Sequence, residues 1–145
     1  MKTILFSVSL LCLSITAQSQ DLLDQYVSGF DYDARKSMKV SSEDLLELLI
    51  NKDAILLDIR FEEEHESWSM PYAVFMPLPE LPGRYIELDK NMAVVTACPH
   101  KDRAIMAMMY LKRKGYNVKY LQDGLLGLAE YLRGDKAREF IKKLD

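Results

Sequence analysis

Continuous apolar runs of four to six residues recur along the chain and predict buried β-strands. Each run is bounded by polar or turn-forming residues. A run without polar alternation is typical of a strand that is covered on both faces, as in a parallel sheet. The runs lie at residues 54–59 and 92–97, another strand is predicted at 117–121, and a shorter candidate lies at 73–76 among several prolines.

Amphipathic stretches separate these runs and predict helices. Leucines between 45 and 49 fall on one helical face, and Ser41 is placed to cap the start of that helix. Strands that alternate with helices predict an α/β fold with a central parallel sheet and helices on both faces. The other predicted helices lie at residues 61–66, 103–114, 125–132 and 135–143.

The N-terminal forty residues follow a different pattern. Lys2 precedes an apolar stretch, and Ala17 and Ser19 are small residues at the spacing of a signal peptidase site. We therefore expect a signal peptide at 1–19, cleaved near Ser19. The mature protein would be periplasmic or secreted, without stable membrane insertion. Residues 20–39 are mixed and polar and predict an N-terminal arm with one or two helical turns, which leaves 40–145 as a single domain.

Composition narrows the classes of function. The chain has 145 residues and a net charge of -3, which suits one compact domain and argues against a nucleic-acid-binding surface. One of the two cysteines, Cys12, lies in the predicted signal peptide. The mature chain would keep Cys98 alone, in a compartment where paired cysteines form disulfides. Such a lone thiol is either reactive or an intermolecular partner.

Cys98 directly follows the apolar run 92–97 and begins a short polar loop before a predicted helix. Backbone N–H groups at the helix start and nearby cations favour a thiolate, so we expect the pKa of Cys98 to be lowered and the thiol to be alkylated well below the pH of an ordinary cysteine. The alternative is a buried cysteine at the end of a core strand. The residues expected to bind substrate beside Cys98 are Pro99, His100, Lys101, Asp102 and Arg103.

The order and spacing of several short segments resemble the rhodanese-like (sulfurtransferase) domain family over roughly 40–132. The segments are Ile55-Leu56-Leu57-Asp58-Ile59-Arg60, Met70-Pro71-Tyr72-Ala73, the loop from Cys98 to Arg103, and Leu121-Gln122-Asp123-Gly124-Leu125. The resemblance implies a single rhodanese-like domain without cofactor or metal. It implies that Cys98 takes sulfane sulfur from a small anionic donor such as thiosulfate, carries it as a persulfide and passes it to a thiophilic acceptor, a thiol or a protein.

Departures from the family pattern keep other interpretations open. The loop lacks the usual glycine, Pro99 has no N–H to offer the sulfur, and Ala104 stands where serine or threonine is usual. A catalytically weak or inactive binding or sensing module is therefore an alternative. A cysteine-dependent phosphatase or arsenate reductase is another, although such loops have one more residue between cysteine and arginine than the spacing from Cys98 to Arg103 allows.

Two further features are left with alternative interpretations. Asp58 and Arg60 follow the first core strand, where they either border the ligand crevice or form a structural ion pair. Trp68 either shapes the mouth of a pocket or fills the core. The acidic run 62–66 with its single histidine is interpreted as a solvated helix rather than as a metal site, because zinc needs several convergent ligands.

Overall fold

The computed structural model describes residues 22–144, so the predicted signal peptide and its cleavage site lie outside the described residues. A five-stranded, wholly parallel sheet forms the centre, in the order β1-β5-β4-β2-β3. The central strand β4 and its two neighbours, β5 and β2, are the three longer strands predicted from the sequence. The strands are β1 (Lys39–Val40), β2 (Ala54–Asp58), β3 (Val74–Phe75), β4 (Ala93–Ala97) and β5 (Val118–Leu121).

Helices connect the strands and cover the sheet. Within the described residues, no helix is long and apolar enough to cross a membrane. A 3-10 turn, Tyr85–Glu87, follows the fifth helix. The helices are α1 (22–28), α2 (Tyr32–Ser37), α3 (Ser42–Ile50), α4 (Glu62–Ser67), α5 (Leu81–Arg84), α6 (Asp102–Arg113), α7 (Gly124–Tyr131) and α8 (Asp135–Leu144).

Two apolar cores lie on opposite faces of the sheet, because consecutive strand residues point to opposite sides. Leu57 and Val94 pack with α5 and α6 on one face. Leu56 and Val95 pack with α3, α7 and α8 on the other. This arrangement confirms the predicted α/β fold with helices on both faces. It also places Cys98 on the α6 face, among the buried residues of the first core.

The N-terminal arm is more structured than its sequence suggests. Two short helices, α1 and α2, stand where one or two helical turns were expected. The arm then joins the sheet through β1, which pairs with β5. A strand of two residues carries no readable periodicity, which is why the pattern misses it. The helix α5 is missed for a related reason, since its four residues include Pro82 within its first turn, where proline fits a helix.

Candidate active site around Cys98

The site forms where β4 ends and α6 begins. The ends of β2 and β4 are neighbours, since Asp58 pairs with Ala97 and the Ile59 N–H donates to the Ala97 carbonyl at 3.0 Å. In parallel sheets, this carboxyl edge is where ligands bind. Cys98 and the charged residues after β2 therefore meet at one edge, as their positions in the sequence predict.

Backbone N–H groups converge on the Cys98 sulfur. The backbone amides of Ala104, His100 and Arg103 face Sγ and lower the pKa of the thiol. The first turn of α6 and the loop thus form a cradle for negative charge on sulfur, as a helix N-terminus does for an anion. Pro99, the first loop residue, has no N–H to add. The thiol itself donates to Asp102 Oδ1 at 3.6 Å.

The start of α7 orients this loop from behind. The Leu125 N–H donates to the Cys98 carbonyl at 2.8 Å, and the Leu126 N–H donates to the Pro99 carbonyl at 3.3 Å. Because C=O and N–H point in opposite directions across a trans peptide, turning the Pro99 carbonyl toward α7 turns the His100 N–H toward the sulfur. The cradle therefore depends on a helix that lies more than twenty residues later in the chain.

Gly124 allows α7 to approach the loop so closely. Its φ of +65° lies in the left-handed region, and a Cβ there would lie 2.3 Å from the carbonyl oxygens of both Pro99 and His100. No side chain fits at that distance without moving the loop backbone. The Asp-Gly turn is visible in the sequence, but its contact with the Cys98 loop is not.

Gly124→Ala is expected to destabilise the protein by at least about 2 kcal/mol more than Gly134→Ala, because overpacking adds to backbone strain. Gly134 is a matched control, since its φ is +61° and nothing lies within 4 Å of its Cβ position. Urea denaturation of both variants measures the difference. Equal losses of stability would show that the close approach of Gly124 to the loop carries no energetic weight.

The environment of the thiol contradicts one expectation from the sequence. Cys98 has no exposed surface, and this burial raises the pKa of its thiol above the ordinary value of 9.0. The three amides lower the pKa, but they do not outweigh burial, and the Asp102 carboxylate raises the pKa further. The expected activated thiolate is therefore wrong for the resting protein. Cys98 rests as a neutral thiol whose sulfur already faces hydrogen-bond donors.

The midpoint of Cys98 alkylation by iodoacetamide is accordingly expected above pH 9.0 rather than below it, since only the thiolate reacts. Asp102→Asn should move this midpoint to lower pH, because it removes the negative charge that faces the sulfur. Alkylation rates measured by mass spectrometry across a pH series test both statements. A wild-type midpoint near neutrality, or one that Asp102→Asn leaves in place, would contradict them.

Arg103 does not stand free beside the thiol. Its guanidinium forms a bidentate pair with the Glu64 carboxylate, with N–O distances of 2.6 and 2.8 Å, and lies over the ring of Phe61. The hydrogen bonds from Arg103 lower the pKa of Glu64 to about 2. Glu64 was read from the sequence only as part of a solvated acidic helix. Since 39 positions separate the two residues, no local signal indicates the pair.

Asp58 and Arg60 form a buried structural ion pair, which decides between their two interpretations. The Arg60 guanidinium donates to both carboxylate oxygens of Asp58, at 2.7 to 3.1 Å, and to the carbonyls of Glu64 and Trp68. The Trp68 ring lies 4.2 Å from the Arg60 guanidinium. Trp68 is 37% exposed, so it covers the ion pair rather than filling the core.

His65 extends this network rather than binding a metal. Its Nδ1 lies 3.0 Å from Asp58 Oδ2, and its ring stacks on Phe75 at 3.8 Å. Burial raises the pKa of Asp58, but the hydrogen bonds from Arg60 and His65 hold that pKa below its ordinary value. Among residues 22–144, no group of three or more histidine, cysteine, aspartate or glutamate side chains is arranged to hold a metal ion.

The remaining predicted site residues form the solvent-facing part of the loop that follows Cys98. His100, Lys101 and Asp102 are exposed, and Pro99 is half-buried. The structure thus brings all the predicted loop residues to one strand–helix junction. It places Asp58 and Arg60 beside this junction and links them to it through α4, whose Glu64 contacts both Arg60 and Arg103.

Comparison with known proteins agrees with this geometry. A sulfurtransferase from Allochromatium vinosum is 32% identical over 95 residues, which cover 64% of this chain and 89% of that protein. A rhodanese-related protein from Thermoplasma volcanium superposes with a TM-score of 0.59 at 24% identity, covering 64% of this chain and 91% of that one. A thiosulfate sulfurtransferase from Pseudomonas aeruginosa gives 0.61 at 20% identity, covering 85% of this chain and 27% of that one.

The similarity to the two solved structures establishes the fold. A family model described as the rhodanese-like domain matches residues 41–130, which is more than half of the chain and includes β2, β4, α6 and the start of α7. The predicted resemblance is thereby confirmed, and the chain belongs to the rhodanese-like domain family.

Proposed function

We propose that this chain is a single-domain sulfurtransferase that moves sulfane sulfur from a small anionic donor to a thiol acceptor through a persulfide on Cys98. The observation that carries the proposal is the position of Cys98 between the end of β4 and the start of α6, where the His100, Arg103 and Ala104 amides face Sγ. A persulfide carries its negative charge on the terminal sulfur, and such a cradle stabilises an anion. The membership of the chain in the rhodanese-like family supports the same chemistry.

The first step forms one sulfur–sulfur bond and breaks another. The Cys98 thiol, which donates a hydrogen bond to the exposed Asp102 carboxylate, loses its proton to solvent. The thiolate attacks the outer sulfur of a donor such as thiosulfate, and the electron pair of the broken bond leaves with sulfite. An acceptor thiolate then attacks the terminal persulfide sulfur and regenerates the Cys98 thiolate.

Intact-protein mass spectrometry after exposure to sulfane sulfur donors tests the proposal. We expect the mass of the folded protein to rise by one sulfur atom, with the modification on Cys98, and to return to its original value after addition of a thiol. Cys98 is the only cysteine among residues 22–144, so a Cys98→Ser sample is the control for modification at this site. No mass gain with thiosulfate, thiosulfonate or persulfide donors would refute sulfur transfer by this chain.

A binding or sensing module is the second candidate, and the burial of the thiol favours it. Cys98 has no exposed surface and its pKa is raised, so the resting site is not that of a strongly activated nucleophile. A module of this kind would retain the fold and bind a sulfur compound without turnover. Binding of donor without any mass gain on Cys98 would identify it.

We further propose that the protein is exported, with residues 1–19 as a cleaved signal peptide. Lys2, the apolar stretch after it and the small residues Ala17 and Ser19 support this assignment. Fractionation of cells that express the full chain tests it, together with N-terminal sequencing of the mature protein. Recovery of uncleaved chain from the cytoplasm would refute export.

A further inference from the structure

The charge balance at the Cys98 loop differs from what the loop sequence suggests. Lys101 and Arg103 exceed Asp102 by one positive charge, which favours an anionic ligand. Glu64 cancels this excess, because its carboxylate occupies the guanidinium of Arg103 through two hydrogen bonds. The fork with which arginine recognises a doubly charged oxyanion is thus already in use.

Glu64 is held in place independently of any ligand. Its Oε2 also accepts the Phe61 N–H at 3.1 Å, and its backbone carbonyl accepts from the buried Arg60. About a third of its side chain is exposed, against 23% for Arg103, so the pair lies at the protein surface beside the loop. With its pKa lowered to about 2, Glu64 remains ionised at physiological pH.

A second negative charge lies closer to the sulfur. The Asp102 carboxylate accepts a hydrogen bond from the Cys98 thiol at 3.6 Å, so a negative charge lies directly beside the sulfur that a donor must reach. Lys101 is the exposed cation of the loop. Once the Glu64 charge is counted, the charged side chains around the loop carry no net positive charge that would attract a dianion. The backbone amides remain, and their partial charges suit one negative charge on sulfur rather than two on a ligand.

We propose that Glu64 is a specificity-determining residue that makes the Cys98 site select sulfur donors by charge, favouring singly charged or neutral donors over dianions such as thiosulfate. The inference rests on the proposed function and narrows its donor. Glu64 acts through Arg103 and is therefore a positioning residue. It need not contact the donor, because it controls which cation the donor can reach.

Two donors with matched chemistry separate the effect of charge from the effect of reactivity. Thiosulfate carries two negative charges and ethanethiosulfonate carries one. In both, the Cys98 thiolate attacks the outer sulfur, one sulfur–sulfur bond forms and one breaks. The electron pair leaves with sulfite from thiosulfate and with ethanesulfinate from ethanethiosulfonate. Neither reaction needs a further oxidant or reductant.

Glu64→Gln tests the proposal because it removes the charge while retaining an acceptor oxygen for Arg103 and Phe61. We expect kcat/KM to rise about 10-fold for thiosulfate and about 3-fold for ethanethiosulfonate, because the energy between point charges scales with ligand charge. Glu63→Gln is the matched control, an exposed residue of the same charge one position earlier in α4, and should leave the ratio of the donors unchanged. Glu64→Asp retains the charge and should retain the selectivity.

Alkylation of Cys98 gives a second measurement that does not depend on sulfur transfer. Iodoacetate is an anion and iodoacetamide is neutral, and both must reach the same buried sulfur, so the ratio of their rates reports charge selectivity. We expect Glu64→Gln to raise the iodoacetate to iodoacetamide ratio by about 3-fold, as for a singly charged donor. Glu63→Gln should leave it at the wild-type value.

These measurements distinguish two kinds of failure. Unchanged ratios in Glu64→Gln, or equal changes in Glu63→Gln, would overturn the role of Glu64 even if sulfur transfer is efficient. Absence of transfer from every donor would refute the proposed function, and the alkylation ratio would still decide whether Glu64 controls access of anions to Cys98.

Discussion

Replacing Cys98 by serine is expected to abolish sulfur transfer, to below about a thousandth of the wild-type rate, while the protein remains folded. A serine hydroxyl is a poor nucleophile toward sulfur and cannot carry a persulfide. Its hydrogen bonds are satisfied at this position, because it can donate to Asp102 and accept from the amides around Sγ. The melting temperature should therefore stay close to that of the wild type.

Sulfur transfer is measured as the rate of thiocyanate formation with cyanide as the acceptor, or of persulfide formation with a thiol as the acceptor. Thermal unfolding measures the melting temperature. Cys98→Ala is a useful companion, since it removes the nucleophile without adding a hydroxyl. Sulfur transfer that survives in a folded Cys98→Ser protein would place the chemistry at another residue.

Arg60→Met is expected to destabilise the protein by about 3–5 kcal/mol, because it leaves the Asp58 carboxylate buried without its principal partner. Both side chains are almost fully buried, with 1% and 0% exposure. The melting temperature should fall by about 10 °C or more. Urea and thermal denaturation measure the loss. Arg84→Met is the control, since Arg84 pairs with Glu80 and Glu87 at the surface and its removal should change the midpoint little.

A double variant shows whether the cost comes from the isolated charge. Asp58→Leu combined with Arg60→Met removes both charges and should recover much of the stability that Arg60→Met loses. If Arg60→Met is as stable as the wild type, the ion pair does not contribute as described.

The same pair sets a pH dependence of stability. The pKa of Asp58 lies below its ordinary value of 3.8, so the unfolded chain binds a proton more readily than the folded protein does. Its contribution to stability is present above that value and is lost as the pH falls through the lower pKa of the folded state. In the double variant, the free energy of unfolding should therefore fall less steeply as the pH is lowered.

The strands that are buried on both faces of the sheet were predicted from the sequence. The apolar runs at β2 and β4 predict buried strands, because a strand covered by helices on both faces carries few polar residues. The strands at the sheet edges, β1 and β3, have two residues each, and only β3 was anticipated, within the candidate run at 73–76. A strand of that length is defined by its neighbours rather than by its own residues.

The candidate nucleophile was also predictable from the sequence, but its electrostatics were not. A cysteine between an apolar run and a helix start indicates Cys98 directly. The effect of Lys101 and Arg103 on the thiol depended on which groups they meet in space. Glu64 occupies Arg103, and burial outweighs the amides at the sulfur. Both are tertiary effects, and one sequence without its fold gives no measure of either.

The burial of Cys98 affects how well its thiol resists oxidation and unwanted disulfide formation. Oxidation to sulfenic acid and capture by disulfides in the surroundings both require an accessible thiolate. A protonated sulfur with no exposed surface reacts slowly with peroxide and with stray disulfides. If Cys98 carries sulfur as proposed, this enclosure protects the nucleophile between reactions, and each donor must first gain access to it.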